Sequence, residues 1–210
     1  MTANATILRR YTDLPALLYL LKESRITLLD PRSWDDQNDT HYLRIYKRKK
    51  GLKSVLALCF TEAGETYHHW RVFANGPSGV RIDFKREELL SATGKVRGLR
   101  AASVHYPTLK GHRKATVNTE DLPFLKRYGF QDEAEFRLIY ESAKTKVTSK
   151  DIPIPLSCID RITLSPWLNQ ALVPQVKSVI GSVRSRPHVK VSHSTLIGND
   201  EWKKLGEGAL

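Results

Sequence analysis

The sequence predicts an α+β fold in which helices flank a mixed, mostly antiparallel central sheet. Short strand-like segments and helical patterns are interspersed along the 210 residues, which is typical of this class. One segment, residues 54–60, is a nearly continuous apolar run and is predicted to be a buried central strand. Because the chain shows no repeat and no low-complexity linker, we expect a single domain over residues 1–210.

The first half of the chain begins with a strand and a helix. Four leucines between residues 14 and 21 recur at helical spacing, and Asp13 just before them can cap that helix. The polar stretch 35–39 indicates a loop, and the alternation of apolar and polar residues at 80–84 predicts a half-buried strand. The predicted elements of this half are strands at residues 7–11, 25–29, 54–60 and 80–84, helices at residues 14–22, 40–50, 65–74 and 85–91, and a turn at residues 75–79.

The second half is predicted from the same two periodicities. Thr119 can cap a helix, and residues 168–183 form the longest helical pattern. Residues 107–118 are basic and irregular, which predicts a loop. The predicted elements of this half are strands at residues 99–106, 133–140, 152–156, 159–164 and 189–191, and helices at residues 119–128 and 168–183.

A formal net charge of +12, from 34 Lys and Arg against 22 Asp and Glu, makes polyanions the expected partners. Solubility alone needs a charge of only about 2–8, so nucleic acid is the first candidate. For any single basic block, a solvated surface is an equally good interpretation. The residues expected to contact nucleic acid are Lys47, Arg48, Lys49, Lys50, Arg113 and Lys114, and a further basic block comprises Arg184, Arg186, His188 and Lys190.

The sequence argues against a membrane-spanning, secreted or metal-binding protein. It has no apolar run of about 18 residues, and its N-terminus lacks the basic and apolar regions of a secretory signal. Cys59 and Cys158 lie in apolar runs without paired histidine spacing, so we expect reduced, buried thiols and no structural zinc. We therefore expect a cytoplasmic protein with no metal and no membrane partner, and its oligomeric state stays open.

The most informative segment is residues 133–140. Apolar or aromatic residues at positions 134, 136, 138 and 140 alternate with Glu133, Glu135 and Arg137. A period of two predicts a strand that carries both carboxylates and the guanidinium on one face. Two carboxylates about 6–7 Å apart along a strand face can divide labour between an electrophile and a nucleophile.

Several short motifs follow one another in a recognisable order. They are 8–11, Asn38-Asp39, Cys59-Phe60-Thr61, Trp70, 79–84, Val104-His105-Tyr106, 130–137 and a C-terminal pattern ending at Ser192. In this order they resemble the bacterial domain-of-unknown-function family 2971, whose members are often encoded beside abortive-infection and phage-defence genes. The chain departs from that family at Phe130, where the family has Trp, and at Thr40, where it has Pro.

The motifs are also similar to the ADP-ribosyltransferase superfamily, in the branch with an Arg on the first strand, a Ser or Thr on a middle strand and a late Glu-X-Glu. This resemblance implies an ADP-ribosyltransferase-like fold and NAD as cofactor. It implies that Glu135 stabilises the positive charge that develops as the N-glycosidic bond breaks, or holds a ribose hydroxyl, and that Glu133 orients or deprotonates the acceptor. Thr61 would hydrogen-bond the carboxylate or the ribose. The alternatives are an exposed face paired with Arg137 and an ordinary strand-ending threonine.

The same resemblance implies a cofactor site. Arg10 would bind the pyrophosphate with Tyr11 beside it, although Arg9 is an equally placed rival and strand alternation puts only one arginine on the site face. The aromatics that could stack on nicotinamide are Tyr67, Trp70 and Phe73, although aromatics at helical spacing are more often core. The adjacent His68 and His69 point apart and lack metal-ligand spacing. We expect Arg10, Thr61 and Glu135 to converge on one cleft.

These observations predict an NAD-dependent ADP-ribosyltransferase-like protein of toxin or phage-defence type, with nucleic acid as the expected acceptor. The alternative is a non-catalytic, basic nucleic-acid-binding or interaction module on a degenerated enzyme fold. A nuclease ranks third, because the chain has no Asp…Glu-X-Lys pattern, no phosphate-cradling Gly-rich loop and no Gly-X-Ser-X-Gly elbow. Whether catalysis is retained and whether an antitoxin exists stay open.

Overall fold

The computed structural model describes residues 6–74, 76–114, 116–183 and 189–207, in which strands and helices are interspersed. The strands are β1 (Ile7–Asp13), β2 (Arg25–Leu29), β3 (Ser54–Thr61), β4 (Gly79–Lys85), β5 (Leu99–Ser103), β6 (Glu135–Ser142), β7 (Ser149–Pro153), β8 (Ile159–Leu164) and β9 (Lys190–His193). The helices are α1 (Leu14–Glu23), α2 (Gln37–Lys49), α3 (Tyr67–Phe73), α4 (Arg86–Thr93), α5 (Leu109–Lys114), α6 (Val173–Ser182) and α7 (Asp200–Glu207).

The strands form one sheet in the order β5-β6-β3-β1-β4-β8-β9, and β2 joins β3 to β7. Every pairing is antiparallel except the one between β8 and β9. The predicted α+β class with a mostly antiparallel sheet and flanking helices is therefore confirmed. The single domain over residues 1–210 and the cytoplasmic location stay predictions.

The register of the sheet positions the site. Thr61 is opposite Glu135 on β6 and opposite Arg9 on β1, so these three residues form a row across three adjacent strands. Directly opposed residues of antiparallel strands share a face. The alternate positions, Leu8, Phe60 and Phe136, belong to the main hydrophobic core on the other face.

The junction between β1 and β3 is short. These strands pair at one position, Arg9 with Thr61, whereas β1 pairs with β4 from Ile7 to Asp13. Beyond that position the carbonyl of Cys59 accepts a hydrogen bond from Arg10 Nη1 at 3.4 Å instead. Side chains can therefore enter between the two strands at this point of the sheet.

Several predicted boundaries were wrong for local reasons. Helix α2 begins at Gln37, because Asp36 Oδ1 accepts from the backbone N–H groups of Asn38 and Asp39, so the predicted loop at 35–39 already contains the first helical turn. Residues 107–118 contain α5. The predicted helix at 119–128 is a 3₁₀ segment, Thr119–Phe124, that contains Pro123. Helix α7 was not predicted, and Asn75 of the predicted turn lies outside the described residues.

Within the ranges given above, every helix is too short or too polar to cross a bilayer.

Candidate active-site cleft

A cleft of about 400 Å³ opens where β3 ends, β6 begins and β1 crosses beside them. This volume lies within the usual range of small-molecule pockets. Its lining includes both arginines of β1, Thr61, Glu133 and Glu135, with the N-terminal end of α2 and one side of α3 as walls. The structure thus brings Arg10, Thr61 and Glu135 together in one cleft.

Arg137 anchors the floor of the cleft. Its side chain is fully buried, and all five of its N–H donors are used. Nε and Nη2 donate to the two carboxylate oxygens of Glu135 at 2.7 and 2.9 Å, Nη1 donates to Asp39 Oδ1 at 2.8 Å and to the Pro123 carbonyl at 3.0 Å, and Nη2 also donates to Asp39 Oδ2. The Trp34 ring lies 5.2 Å from the guanidinium. The alternative interpretation, an exposed face on which the glutamates pair with Arg137, is therefore wrong: these side chains are paired but buried.

Lys126 extends this cluster towards the cleft. Its ammonium lies 2.5 Å from Glu133 Oε2 and 3.5 Å from Glu135 Oε2, and its side chain is only 9% exposed. Opposite charges therefore alternate along one chain of groups that we call the ion chain: Asp39, Arg137, Glu135, Lys126 and Glu133. With three carboxylates and two cations, the ion chain carries a net negative charge in a strongly basic protein.

Burial and ion pairing oppose each other along the ion chain. Burial would raise the pKa of the Glu135 carboxyl, but Arg137 and Lys126 together lower it from 4.5 to about 2, so this group is ionised. For Glu133 and Asp39, burial outweighs the neighbouring cations and raises each pKa. The Cys59 thiol, which also hydrogen-bonds Glu135, has its pKa raised by burial and is protonated at neutral pH.

The backbone turns sharply between the two glutamates. The sequence placed Glu133 on the strand, and this was wrong: Glu133 ends the 3₁₀ segment Tyr128–Glu133, and β6 begins at Glu135. Ala134 between them adopts the left-handed conformation with φ 41°, which is uncommon for a residue with a Cβ. Side chains from two different elements therefore share one ammonium.

Thr61 and His69 fix this turn. The Thr61 hydroxyl donates to the Glu133 carbonyl at 2.6 Å, and His69 Nε2 contacts the same carbonyl at 3.1 Å. A carbonyl only accepts, so Nε2 of His69 carries a proton, and Nδ1 accepts from the Thr66 hydroxyl at 2.5 Å. Burial lowers the pKa of His69, which favours the neutral ring. Thr61 thus holds the backbone of Glu133 and not the carboxylate, which was one of the two partners expected for it besides the ribose.

Both arginines of β1 line the cleft, although alternation had been expected to admit only one. Arg9 is in the row with Thr61 and Glu135, and its Nη1 donates to the Ala63 carbonyl at 2.9 Å. Arg10 reaches the cleft through its contact with the Cys59 carbonyl. Each guanidinium uses one nitrogen in these contacts, which leaves further donors.

The aromatic residues predicted for the cofactor site, three of them as stacking partners, separate into three groups. Trp70 is fully buried against Tyr11 and donates its indole N–H to Glu65 at 2.7 Å, so it is a core residue and cannot stack on a ligand. Tyr67 is exposed but packs on Trp167 and does not line the cleft. Phe73, which is 40% exposed, and the buried Tyr11 do line it.

The basic residues lie on a separate surface. Lys47, Arg48, Lys49 and Lys50 are at the C-terminal end of α2, and Lys50 pairs with Glu120. Arg113 and Lys114 end α5, which contacts α2 through a 2.8 Å hydrogen bond between His112 and Tyr42. Lys190 begins β9 and is exposed, whereas Arg184, Arg186 and His188 lie outside the described residues.

Sequence patterns assigned no role in the site to three of its residues. Lys126, Trp34 and Phe130 all line the cleft, and the two aromatic rings lie beside the two cations of the ion chain. Asp39 was named only as part of the family motif, and it is the buried partner of Arg137 in the structure. Both cysteines are free; Cys158 is buried as expected, whereas Cys59 is only partly buried and lines the cleft. No group of three or more His, Cys, Asp or Glu side chains among the described residues could hold a metal ion.

Comparison with known proteins finds likenesses among solved structures alone: no family model and no curated protein matches the chain. It is similar to DarT from Thermus sp. 2.9 in complex with NAD+, with TM-score 0.49 and 9% identity over 92% of this chain and 98% of that one. The complex of the same DarT with ADP-ribosylated ssDNA gives TM-score 0.48 and 10% identity over 91% and 95%. Its complex with carba-NAD+ gives 0.47 and 10% over 91% and 97%.

Those ligands belong to the DarT structures. For the present chain, the ligand is inferred from the residues of its own cleft. The resemblance to family 2971 stays a prediction, because no family model matches.

Proposed function

We propose that this protein is an NAD-dependent ADP-ribosyltransferase of the toxin or phage-defence kind, with nucleic acid as acceptor. The observation that supports it is the order of charges across one cleft. Two guanidinium groups on β1 are followed by Thr61 on β3 and by the carboxylates of Glu133 and Glu135. NAD has the complementary order, with an anionic diphosphate, a ribose and a cationic pyridinium ring.

The spacing of the sheet fits this ligand. Adjacent strands are about 4.8 Å apart, so the backbones of Arg9 and Glu135 are separated by roughly 10 Å, with Thr61 between them. That span suits a diphosphate bound at one side and its ribosyl C1′ at the other. Arg9 is in this row, so we assign the diphosphate to Arg9 together with Arg10, whose planar donors match phosphate oxygens.

The carboxylates would act where charge develops. When the C1′–N bond breaks, the electron pair leaves with neutral nicotinamide, and positive charge grows on the ribose. Glu133 and Glu135 are fixed, largely dehydrated anions, which is the arrangement that stabilises such charge with little reorganisation. The acceptor oxygen or nitrogen then bonds to C1′ and loses its proton, which Glu133 would take.

The basic surface would hold the acceptor. Helix α2 carries Asp39 in its first turn beside the cleft and Lys47–Lys50 at its other end. At 1.5 Å per residue, the basic end lies roughly 12–16 Å along the helix axis from Asp39. A polyanion bound to Arg48, Lys49, Arg113 and Lys114 could therefore extend to the cleft along one helix.

The cofactor half of the proposal is tested by calorimetric titration with NAD and by nicotinamide release. Wild type should bind NAD, and Glu133→Gln and Glu135→Gln should each slow release by about 10²–10³-fold, because an amide lacks the negative charge. Glu88→Gln, which alters an exposed ion pair with Lys85, is the matched control and should leave release unchanged. Failure of wild type to bind NAD would reject the proposal.

The acceptor half is tested by binding to single-stranded nucleic acid at several salt concentrations. Affinity should fall steeply with salt, because phosphate contacts release counterions. Replacing Arg48 and Lys49 by serine should weaken binding, whereas the same change at the exposed Lys144 and Lys146 removes equal charge elsewhere and should have less effect. Equal losses in the two double variants would remove the α2 surface from the proposal.

One observation favours the non-catalytic alternative. Both oxygens of Glu135 accept from Arg137, so this carboxylate already has a structural function. A non-catalytic nucleic-acid-binding module would need Glu135 only for this structural contact with Arg137. Tight, salt-sensitive binding of nucleic acid without any binding of NAD would identify this alternative.

A further inference from the structure

Lys126 is held in place from several directions. Its backbone N–H donates to the His105 carbonyl at 3.0 Å. Its ammonium lies over the Phe130 ring at 4.8 Å from the ring centre, and on its other side it contacts Glu133 and Glu135. Coulombic attraction to these carboxylates outweighs burial and keeps the Lys126 pKa above its usual value, so the side chain is charged. A buried cation fixed by two anions and a ring has little freedom to leave.

The two glutamates that share Lys126 are not equivalent. Glu135 accepts two bonds from Arg137 and one from the Cys59 thiol, and it also faces Lys126. Glu133 uses only Oε2, towards Lys126. Its Oε1 accepts no hydrogen bond from the described residues, and this oxygen is not fully buried. Glu133 therefore keeps one carboxylate oxygen open to the cleft.

We propose that Lys126 is a positioning residue: it holds Glu133 with one carboxylate oxygen turned to the bound substrate, while Glu135 and Arg137 fix Lys126 from behind. Glu133 then contacts the substrate, and Glu135, besides contributing its own charge to the cleft, fixes Lys126. The part of this inference that concerns substrate rests on the proposed function. The part that concerns the ionisation and placement of Glu133 does not.

The surroundings of Glu133 determine what loss of Lys126 would do. Charged and titratable groups face it from every neighbouring element: Lys126, Glu135, Arg137, Tyr106, His69, and across the cleft Arg9, Arg10, Asp35, Asp36 and Asp39. Lys126 is the nearest cation and the only one of these groups to hydrogen-bond the Glu133 carboxylate in the described parts of the chain. Without it, Glu133 would face Glu135 with no cation between them. Removal of an opposite charge at this distance raises a carboxyl pKa by about 1–3 units.

The experiment measures that titration directly. Protein labelled with ¹³C at the glutamate δ-carbon is titrated by NMR, and the Glu133 resonance is assigned by its absence from Glu133→Gln. We expect the Glu133 midpoint to rise by about 1–3 pH units in Lys126→Met and in the milder Lys126→Gln. In Lys126→Arg, which keeps the charge, it should stay near wild type. An unchanged midpoint in both neutral variants would overturn the inference, whatever the activity.

Nicotinamide release across the same pH range gives the second measurement. In Lys126→Met the acid limb of the rate profile should move to higher pH with the Glu133 titration, and Lys126→Arg should restore it. A general loss of stability would lower the rate at every pH without moving this limb, and that result would contradict positioning. If the NMR midpoint shifts but wild type releases no nicotinamide, the proposed function fails while the placement of Glu133 by Lys126 stands.

Discussion

Replacing Arg137 by methionine should cost more stability than any other single change in the ion chain. Methionine keeps much of the length of the side chain but removes the cation and all five hydrogen bonds. Asp39 and Glu135 would then be buried without their main partner. Removing one partner of a buried pair typically costs about 3–5 kcal/mol.

The pKa of Glu135 gives an independent magnitude. Its pKa falls from 4.5 to about 2 on folding, which corresponds to roughly 3 kcal/mol in favour of the folded, ionised state. Because the folded pKa is the lower one, this stability is present above pH 4.5 and is lost as the pH falls through about 2. Asp39 acts in the opposite direction, since burial raises its pKa and its ionised form costs stability above that pKa.

Urea unfolding followed by circular dichroism measures the effect. At pH 7, Arg137→Met should lower the free energy of unfolding by about 3–5 kcal/mol with an unchanged denaturant slope. The difference in unfolding free energy between Arg137→Met and wild type should become smaller as the pH falls below 4.5. Lys85→Met, which removes an exposed partner of Glu88, is the matched control and should not measurably change the midpoint. A loss below about 1 kcal/mol for Arg137→Met would refute the view that the ion chain stabilises the folded state.

Three further predictions concern the residues around the two glutamates. Ala134→Gly should leave stability unchanged or raise it by up to about 1 kcal/mol, because glycine adopts φ 41° without a steric cost, and a marked drop in melting temperature would contradict this. Thr61→Val removes the donor to the Glu133 carbonyl and should cost about 1–2 kcal/mol in urea unfolding, whereas Thr61→Ser keeps the hydroxyl and should cost less. Cys59 should react slowly with iodoacetamide at pH 7.5 until the protein is unfolded, because burial raises its pKa, and rapid labelling of the native chain, followed by mass spectrometry, would disprove this.

The strands could be predicted because their signal is local. Residues 25–29 and 159–164 coincide with β2 and β8, since alternation or an apolar run is visible in the sequence itself. The start of α2 was missed because Asp36, rather than a later residue, caps it. Helix α7 was missed because it has no buried residue and therefore no apolar pattern directed at a core.

The site could be predicted only in part. Arg10, Thr61 and Glu135 were chosen from motifs, and the structure places them in one cleft. The position of Glu133 was wrong, because the period of two continues through Ala134 in the sequence although the backbone turns there. Lys126 and Asp39 depend on contacts between distant segments, which no local pattern reveals.

The ion chain also constrains how this protein can change over time. A neutral residue at Arg137 would leave Asp39 and Glu135 buried without their shared cation. A neutral residue at Lys126 would leave the like charges of Glu133 and Glu135 facing each other. Replacing partners together by apolar residues is far less costly than replacing one of them. Substitutions at these five positions should therefore arise in linked sets among descendants of this chain, and a single change at one of them would mark a lineage in which the cleft has been rebuilt.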